Sequence, residues 1–192
     1  MTDLLIVRDL NVDFHTQAGV VNAVNGISFR VPVGGTVALV GESGSGKSVT
    51  AQAIMGILPR TAEITGGDIL FHDPKRTRVV VPPERRRGFT DLASLAPDSR
   101  EFRAVRGDSI SIIFQEPMTS LSPLHTIGNQ IGEACELHSK CDAAQALERS
   151  IEILELVGFP DPVQSVHKYP FELSGGLRQR AMIAMALICR PA

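Results

Sequence analysis

Gly41-Glu42-Ser43-Gly44-Ser45-Gly46-Lys47-Ser48 fits the phosphate-binding pattern G-x-x-x-x-G-K-[ST] at every fixed position. Thr36-Val37-Ala38-Leu39-Val40 precedes it and reads as a buried strand. Val49-Thr50-Ala51-Gln52-Ala53-Ile54-Met55 follows and continues as a helix, which Leu58-Pro59 ends. Strand, glycine loop and helix are the context the pattern needs. Glycines let the backbone wrap an anion without Cβ clashes, and the first amides of the helix point at it. In this reading Lys47 reaches the β- and γ-phosphates and the Ser48 hydroxyl holds Mg²⁺. A chance match in a chain of this size is roughly a one-in-a-hundred event, so nucleotide binding is preferred over an accidental glycine turn.

The bulk numbers leave room for one ordinary domain. The chain has 192 residues, 43% hydrophobic and 21% charged, with a net charge of −2. That charge does not describe a polyanion binder. Cys135, Cys141 and Cys189 include no C-x-x-C pair, and their odd number gives neither a disulfide framework nor a zinc site. They read as reduced, partly buried cysteines of a cytoplasmic protein. His138 and His167 lack metal-ligand spacing and read as structural or surface residues. The start Met1-Thr2-Asp3-Leu4 lacks the features of a signal peptide, and no apolar run approaches a membrane span. Any membrane role comes through partners.

Upstream of the loop, Leu4 to Phe14 reads as strand, turn-prone patch, strand, and Val20 to Val31 as a second β segment. Phe14 is a candidate for stacking on an adenine ring; on pattern alone a core phenylalanine fits as well. Ile64 to Phe71 reads as a further strand with a glycine turn inside. Lys75 to Arg87 is strongly basic and lacks interleaved aromatics, so a solvated surface insert is preferred over a nucleic-acid site. Asp91 to Arg106 holds a short helix.

Asp108 to Phe114 is again β-like and runs into Gln115-Glu116-Pro117. A polar residue at the end of a buried strand is where α/β sheets bind ligands. Gln115 is therefore a candidate for contact with Mg²⁺ or an attacking water, although the local pattern alone favours a simple strand-ending residue. From Thr126 the chain turns helical. Asp142 and Gln145 form a capping-box pattern, and Leu147, Ile151, Leu154 and Val157 recur at helical spacing up to Gly158 and Pro160. Ser174 is an N-cap for a helix whose apolar run spans Ala181 to Ile188. The Ser-Gly-Gly at that helix start is a second potential anion site, weak by itself.

Three stretches together resemble the ATP-binding cassette (ABC) proteins, over nearly the whole chain. Gly41 to Ser48 matches the Walker A loop, Phe114-Gln115-Glu116-Pro117 the Q-loop, and Leu173-Ser174-Gly175-Gly176 with Leu177-Arg178-Gln179-Arg180 the family signature. Val40 to Thr50 and Ile113 to Ile127 resemble the oligopeptide/dipeptide importer group. Leu124-His125-Thr126 and Met182 to Leu187 are similar to microcin C and peptide transporters.

The resemblance implies an α/β fold: a P-loop NTPase of the ABC type with an antiparallel β subdomain and a helical signature subdomain. It divides residues 1–192 into a β subdomain plus P-loop core (1–114, with the insert at 75–87) and a Q-loop and signature subdomain (115–192). It implies ATP and Mg²⁺ as cofactors. Phe14, Gly41, Glu42, Ser43, Gly44, Ser45, Gly46, Lys47, Ser48 and Val49 would bind the nucleotide, with Lys47 and Gln115 serving catalysis and Ser48 and Gln115 the metal. Leu173, Ser174, Gly175, Gly176 and Gln179 would serve the ATP of a second subunit in a head-to-tail dimer. Membrane-spanning permease subunits would contact the segment after Gln115, and a periplasmic or extracellular substrate-binding protein would act indirectly; no nucleic acid is expected.

The implied role is an ATP-binding subunit of a peptide importer, an ATPase coupling hydrolysis to uptake, peripheral on the cytoplasmic face of the bacterial inner membrane. Alternatives are a subunit for nickel or a drug, a soluble ABC ATPase acting on nucleic acid or ribosomes, and a non-hydrolysing remnant. Two departures stand out. The basic insert is longer than the group's usual turn. The chain also ends at Pro191-Ala192, where the family continues into an apolar strand closing on Asp-Glu. A fragment without the last part of the core sheet, and not competent for hydrolysis by itself, is the preferred expectation.

Overall fold

A computed structural model of the chain describes residues 3–73, 88–115, 120–139 and 141–192. The basic insert, Glu116 and Pro117 lie outside the described residues. The chain divides into two compact units, Met1–Val105 with Ala192, and Arg106–Pro191.

The first unit is built on an antiparallel sheet. Strands β1 (Asp3–Thr16) and β2 (Gly19–Pro32) form a hairpin; helix α1 (Lys47–Met55) follows, then β3 (Ala62–Phe71) and the short β4 (Thr90–Asp91). The sheet order is β2-β1-β3-β4, with every neighbouring pair antiparallel. Val7, Leu10, Val12, Ile69 and Phe71 are almost fully buried within the unit. Leu92 to Ser94 forms a 3-10 turn and Arg100–Val105 forms α2, so the short helix expected between Asp91 and Arg106 is present.

Two expected turns prove to be bulges inside continuous strands. The chain runs through Asp9-Leu10 and Gly66-Gly67 without reversing, and the β1–β3 register slips between Arg8 and Asn11. Asp9 and Gly67 both take positive φ, 43° and 89°. A Cβ at Gly67 would lie 2.4 Å from the Arg8 carbonyl oxygen and 2.5 Å from that of Asp9. The residues that look turn-prone locally are those that let two facing strands bulge against each other.

The expected strand at Thr36 to Val40 is not a strand. Among the described residues it pairs with nothing, and Val37, Leu39 and Val40 are 43%, 45% and 87% exposed. Asp108 to Phe114 differs in the same way: its β character is limited to one bridge between Arg106 and Ile110, and Ile113 and Phe114 are exposed. An apolar run becomes a strand only when a neighbour supplies its ladder hydrogen bonds. Helix α1 also ends earlier than Leu58-Pro59. The Gly56 and Ile57 amides donate to the carbonyls of Ala53 and Gln52 at 3.1 and 3.0 Å, a closure that stops the helix at Met55.

The second unit is helical: α3 (Ile127–Ser139), α4 (Ala143–Leu156), α5 (Pro162–Ser165) and α6 (Gly175–Leu187). Its core joins Ile127, Ile131 and Cys135 of α3, Ala146 and Leu154 of α4, and Ala181, Met182 and Ala184 of α6. The capping box is formed as expected. Gln145 N–H donates to Asp142 Oδ1 at 2.9 Å, and Asp142 N–H donates to Gln145 Oε1 at 3.1 Å. Of the apolar pattern on α4, Leu154 is fully buried and Ile151 and Val157 pack against the core, but Leu147 is exposed, and Ala146 and Ser150 are buried on that face instead. Ser150 fits there because its hydroxyl donates to the Ala146 carbonyl at 2.7 Å. The cysteines, expected to be partly buried, are all buried. Among the described residues no helix is long and apolar enough to cross a membrane.

Two substitutions check these devices. Gly67→Ala brings a Cβ into two backbone carbonyls at a left-handed φ and is expected to cost about 1–3 kcal/mol, read by urea unfolding. Asp142→Ala removes one half of the capping box and is expected to cost about 1 kcal/mol in the same assay. A change indistinguishable from zero in either variant would contradict the corresponding account.

Candidate functional site

The glycine loop is held by its own sequence. Ser45 N–H donates to the Glu42 carbonyl at 3.2 Å, closing a turn over Glu42–Ser45. Gly44 and Gly46 take φ of 81° and 86°. Gly46 is the tighter position: a Cβ there would lie 2.5 Å from the Ala23 carbonyl oxygen on β2. The loop therefore rests directly on the sheet backbone, and glycine is required both for φ and for the approach.

Helix α1 starts from that contact. Thr50, buried at 2% exposure, returns both its amide and its hydroxyl to the Gly46 carbonyl, at 2.8 and 2.9 Å. No side chain caps the helix N-terminus, which leaves its first amides directed outward with the positive end of the helix dipole. Ser48 is exposed on the first turn and Val49 is half-buried. The Lys47 ammonium folds back over the loop: it donates to the Gly41 carbonyl at 2.8 Å, the Glu42 carbonyl at 2.5 Å and Ser45 Oγ at 3.1 Å. All three donors of the ammonium are used. Gly41 belongs to the same close packing, since a Cβ there would meet Ser45 Oγ at 2.6 Å. Glycine-loop backbone, one cation and an uncapped helix start together make a candidate cradle for a phosphate group.

Phe14 lies in the same unit, half-buried on β1 and paired across the sheet with Val21 and Ala62. Among the described residues no group of three His, Cys, Asp or Glu could hold a metal ion. A Mg²⁺ ion would fit here only as one carried by phosphate oxygens, with the exposed Ser48 hydroxyl on its free side, which is how magnesium is commonly held.

The other expected residues belong to the second unit. Gln115 is exposed. Beyond it, Ser120 to Thr126 is anchored by Gln130, which was not singled out from the sequence. Gln130 accepts from Ser122 N–H at 2.8 Å and donates to the Ser122 and His125 carbonyls at 3.0 and 2.9 Å. A signal was available: Gln130 falls on the buried face of α3 with Ile127 and Ile131, and a buried amide must be given partners.

Ser174 caps α6, its hydroxyl accepting from Leu177 N–H at 3.4 Å. Gly175 and Gly176 are open, with nothing within 4 Å of an added Cβ, and Gln179 is exposed. Leu173, in contrast, is buried and anchors the stretch to the helical core. Two arginines of the same stretch hold the helix start in place: Arg178 Nε donates to the Pro170 carbonyl at 2.8 Å, and Arg180 donates to the Gly158 carbonyl. The helix N-terminus is thus rigid and exposed, as a donor surface for an anion requires.

The family described as ABC transporter matches residues 24–192. The chain is 46% identical over 189 residues to a probable peptide ABC transporter ATP-binding protein of Sinorhizobium fredii, covering 98% of this chain and 51% of that protein. It is 46% identical over 192 residues to the dipeptide transport ATP-binding protein DppD of Bacillus subtilis, covering 100% of this chain and 52% of the relative. It spans about half the length of these relatives. Among solved structures, the dimeric post-hydrolysis state of the ATP-binding cassette MJ0796 bound to ADP and Pi superposes with a TM-score of 0.78 at 21% identity, over 97% of this chain and 70% of that one. That likeness carries the fold. The loop, the helix starts and the match over residues 24–192 lead to one conclusion: the chain belongs to the ABC transporter family.

Proposed function

We propose that this chain is part of the ATP-binding subunit of a peptide-type ABC importer, coupling ATP binding and hydrolysis to uptake across the cytoplasmic membrane. The observation that carries the reading is the Lys47 ammonium, turned onto Gly41, Glu42 and Ser45 above the uncapped start of α1. Nucleotide binding exchanges those three loop contacts for β- and γ-phosphate oxygens, while the backbone amides of the glycine loop supply the remaining donors. Gly41 to Val49 form the phosphate cradle, and Phe14 offers its ring to the adenine. Mg²⁺, carried by the phosphate oxygens, would be held by the Ser48 hydroxyl and would supply charge neutralisation there.

Hydrolysis in this reading is phosphoryl transfer to water, with positioning and charge stabilisation as the protein's contribution. Lys47 stabilises the transferring group, and Gln115 positions water and relays the state of the site to the permease. Leu173, Ser174, Gly175, Gly176 and Gln179 present the start of α6 to the ATP of a second subunit in a head-to-tail dimer. The names of the Sinorhizobium and Bacillus relatives support peptide or dipeptide transport. The partners are then a second ATP-binding subunit, membrane-spanning permease subunits and, indirectly, an extracytoplasmic substrate-binding protein. The subunit is peripheral, on the cytoplasmic face of the inner membrane.

Two variants test the assignment at different points. Lys47→Ala is expected to weaken MgATP binding at least tenfold, because a charge-assisted hydrogen bond contributes about 1.5–3 kcal/mol. Calorimetric titration reads it, and equal affinities would sink the assignment. Ser174→Arg, introduced into the assembled transporter, is expected to leave the affinity for MgATP within about twofold while lowering turnover about a hundredfold or more, the scale seen when a donor to the reacting charge is lost. Unchanged phosphate release would contradict the role given to the start of α6.

A further inference from the structure

Just before the cap of α6, the chain displays two aromatic rings that the proposed function leaves without a role. Tyr169 and Phe171 flank Pro170, the first residue of a 3-10 turn over Pro170–Glu172. Their rings lie nearly parallel, 11° apart in plane, with centroids 5.5 Å apart, the offset stack that aromatic pairs favour. Tyr169 is 37% exposed and Phe171 67%, so Phe171 is the outer ring.

The turn that carries the pair is fastened from several sides. Glu172 Oε2 accepts from Tyr169 N–H at 2.7 Å, and the Glu172 and Leu173 amides donate to the carbonyls of Tyr169 and Pro170 at 3.0 and 3.1 Å. Ile127 N–H of α3 donates to the Lys168 carbonyl at 2.8 Å, and Arg178 Nε of α6 donates to the Pro170 carbonyl at 2.8 Å. Pro170 and Leu173 are buried beneath it. Water is a poor solvent for two large rings, and a ligand that covers rings already held in place loses little ordering entropy. The neighbouring chain says which ligand fits. Ser174 follows Phe171 by three residues, so the start of α6 lies at most about 11 Å from it along the chain, the reach of a triphosphate and its ribose. An anion site at one end of that span and a flat aromatic face at the other match the two ends of one nucleotide. An apolar protein segment would cover the rings and leave the open helix start at Gly175 and Gly176 unused.

We propose that Tyr169 and Phe171 form a base-stacking subsite for the nucleotide held by the second subunit, the base lying on Phe171 while the phosphates meet Ser174, Gly175 and Gly176. The assignment rests on the head-to-tail reading given above. The subunit that holds the nucleotide takes one face of the base, and Phe171 closes the other. Stacking engages a π-face and no hydrogen-bond pattern, so the subsite favours a nucleoside triphosphate over a bare polyphosphate without selecting among bases.

The test uses the assembled transporter with Phe171→Ala or Phe171→Trp in this chain. Phosphate release is followed against MgATP concentration, with inorganic tripolyphosphate as a competitor that has no base. Phe171→Ala is expected to raise KM for MgATP about fivefold or more, the low end of what losing one base–aromatic stack costs, with kcat within about twofold. Phe171→Trp is expected to keep KM within about twofold of the wild type. The inhibition constant of tripolyphosphate is expected to be the same in all of them. Phe171 is exposed, so neither change disturbs the core. Photolabelling with 8-azido-ATP reads the contact itself: peptide mapping is expected to find label on residues 169–171 that MgATP competes away. An unchanged KM in Phe171→Ala, a parallel loss of tripolyphosphate inhibition, or no label on residues 169–171 would overturn the subsite. Lost uptake with KM unchanged would also overturn it, assigning the rings to a protein partner. In each of these cases a wild type that hydrolyses MgATP leaves the importer reading standing; a wild type that neither hydrolyses MgATP nor binds tripolyphosphate overturns both.

Discussion

The approach of Gly46 to the Ala23 carbonyl is the contact on which the proposed nucleotide site depends. It is a steric constraint before it is anything else: no side chain fits at a Cβ distance of 2.5 Å from that oxygen. Because the loop rests on β2, the sheet hairpin fixes where α1 begins. The buried Thr50 then ties the first turn back to the same residue through two hydrogen bonds. Lys47 and Ser48 owe their positions to this anchoring, since both project from the turn between those contacts. The antiparallel sheet is thus the platform that aims the helix start, and its bulge at Asp9 and Gly67 is part of how that platform holds its shape.

The second unit repeats the strategy with different parts. There the helix start at Ser174 is aimed by a buried leucine beneath it and by two arginines that spend their hydrogen bonds on backbone carbonyls. Those arginines add positive charge beside a helix N-terminus, which strengthens its preference for an anion. Gln130 performs the corresponding service for the segment after Gln115, by satisfying three backbone groups of the Ser122–His125 turn. In both units a rigid frame leaves a small number of amides and hydroxyls pointing outward. Under the proposed reading these would be half-sites completed by a partner's contribution.

What the sequence discloses follows the range of the interaction. The capping box is legible because Asp142 and Gln145 are close in the chain and their chemistry is self-contained. The glycine loop is legible for the same reason, and so is the Ser174 cap. The hairpin β1–β2 and the strand β3 follow from alternation. Thr36 to Val40 and Asp108 to Phe114 mislead because β character in an apolar run states only a preference, whereas a strand is a relation with a neighbour. Asp9 and Gly67 look like two separate turns because each satisfies turn chemistry locally, and only their opposition across β1 and β3 shows a shared bulge. On α4 the apolar residues point to Leu147, yet the core takes Ala146 and Ser150; one helical position is enough to move a side chain from core to solvent. Gln130 and Arg149 are polar residues whose partners lie on other segments, and no local pattern announces such partners.

The central claim is that phosphate binds where the glycine loop meets α1. Titrating MgATP into the ¹⁵N-labelled chain and following backbone amide resonances tests it at single-residue resolution. The account predicts the largest changes at Gly44, Ser45, Gly46, Lys47, Ser48 and Val49, saturating together with one affinity. Saturable changes confined to other residues, or none at millimolar MgATP, would contradict it.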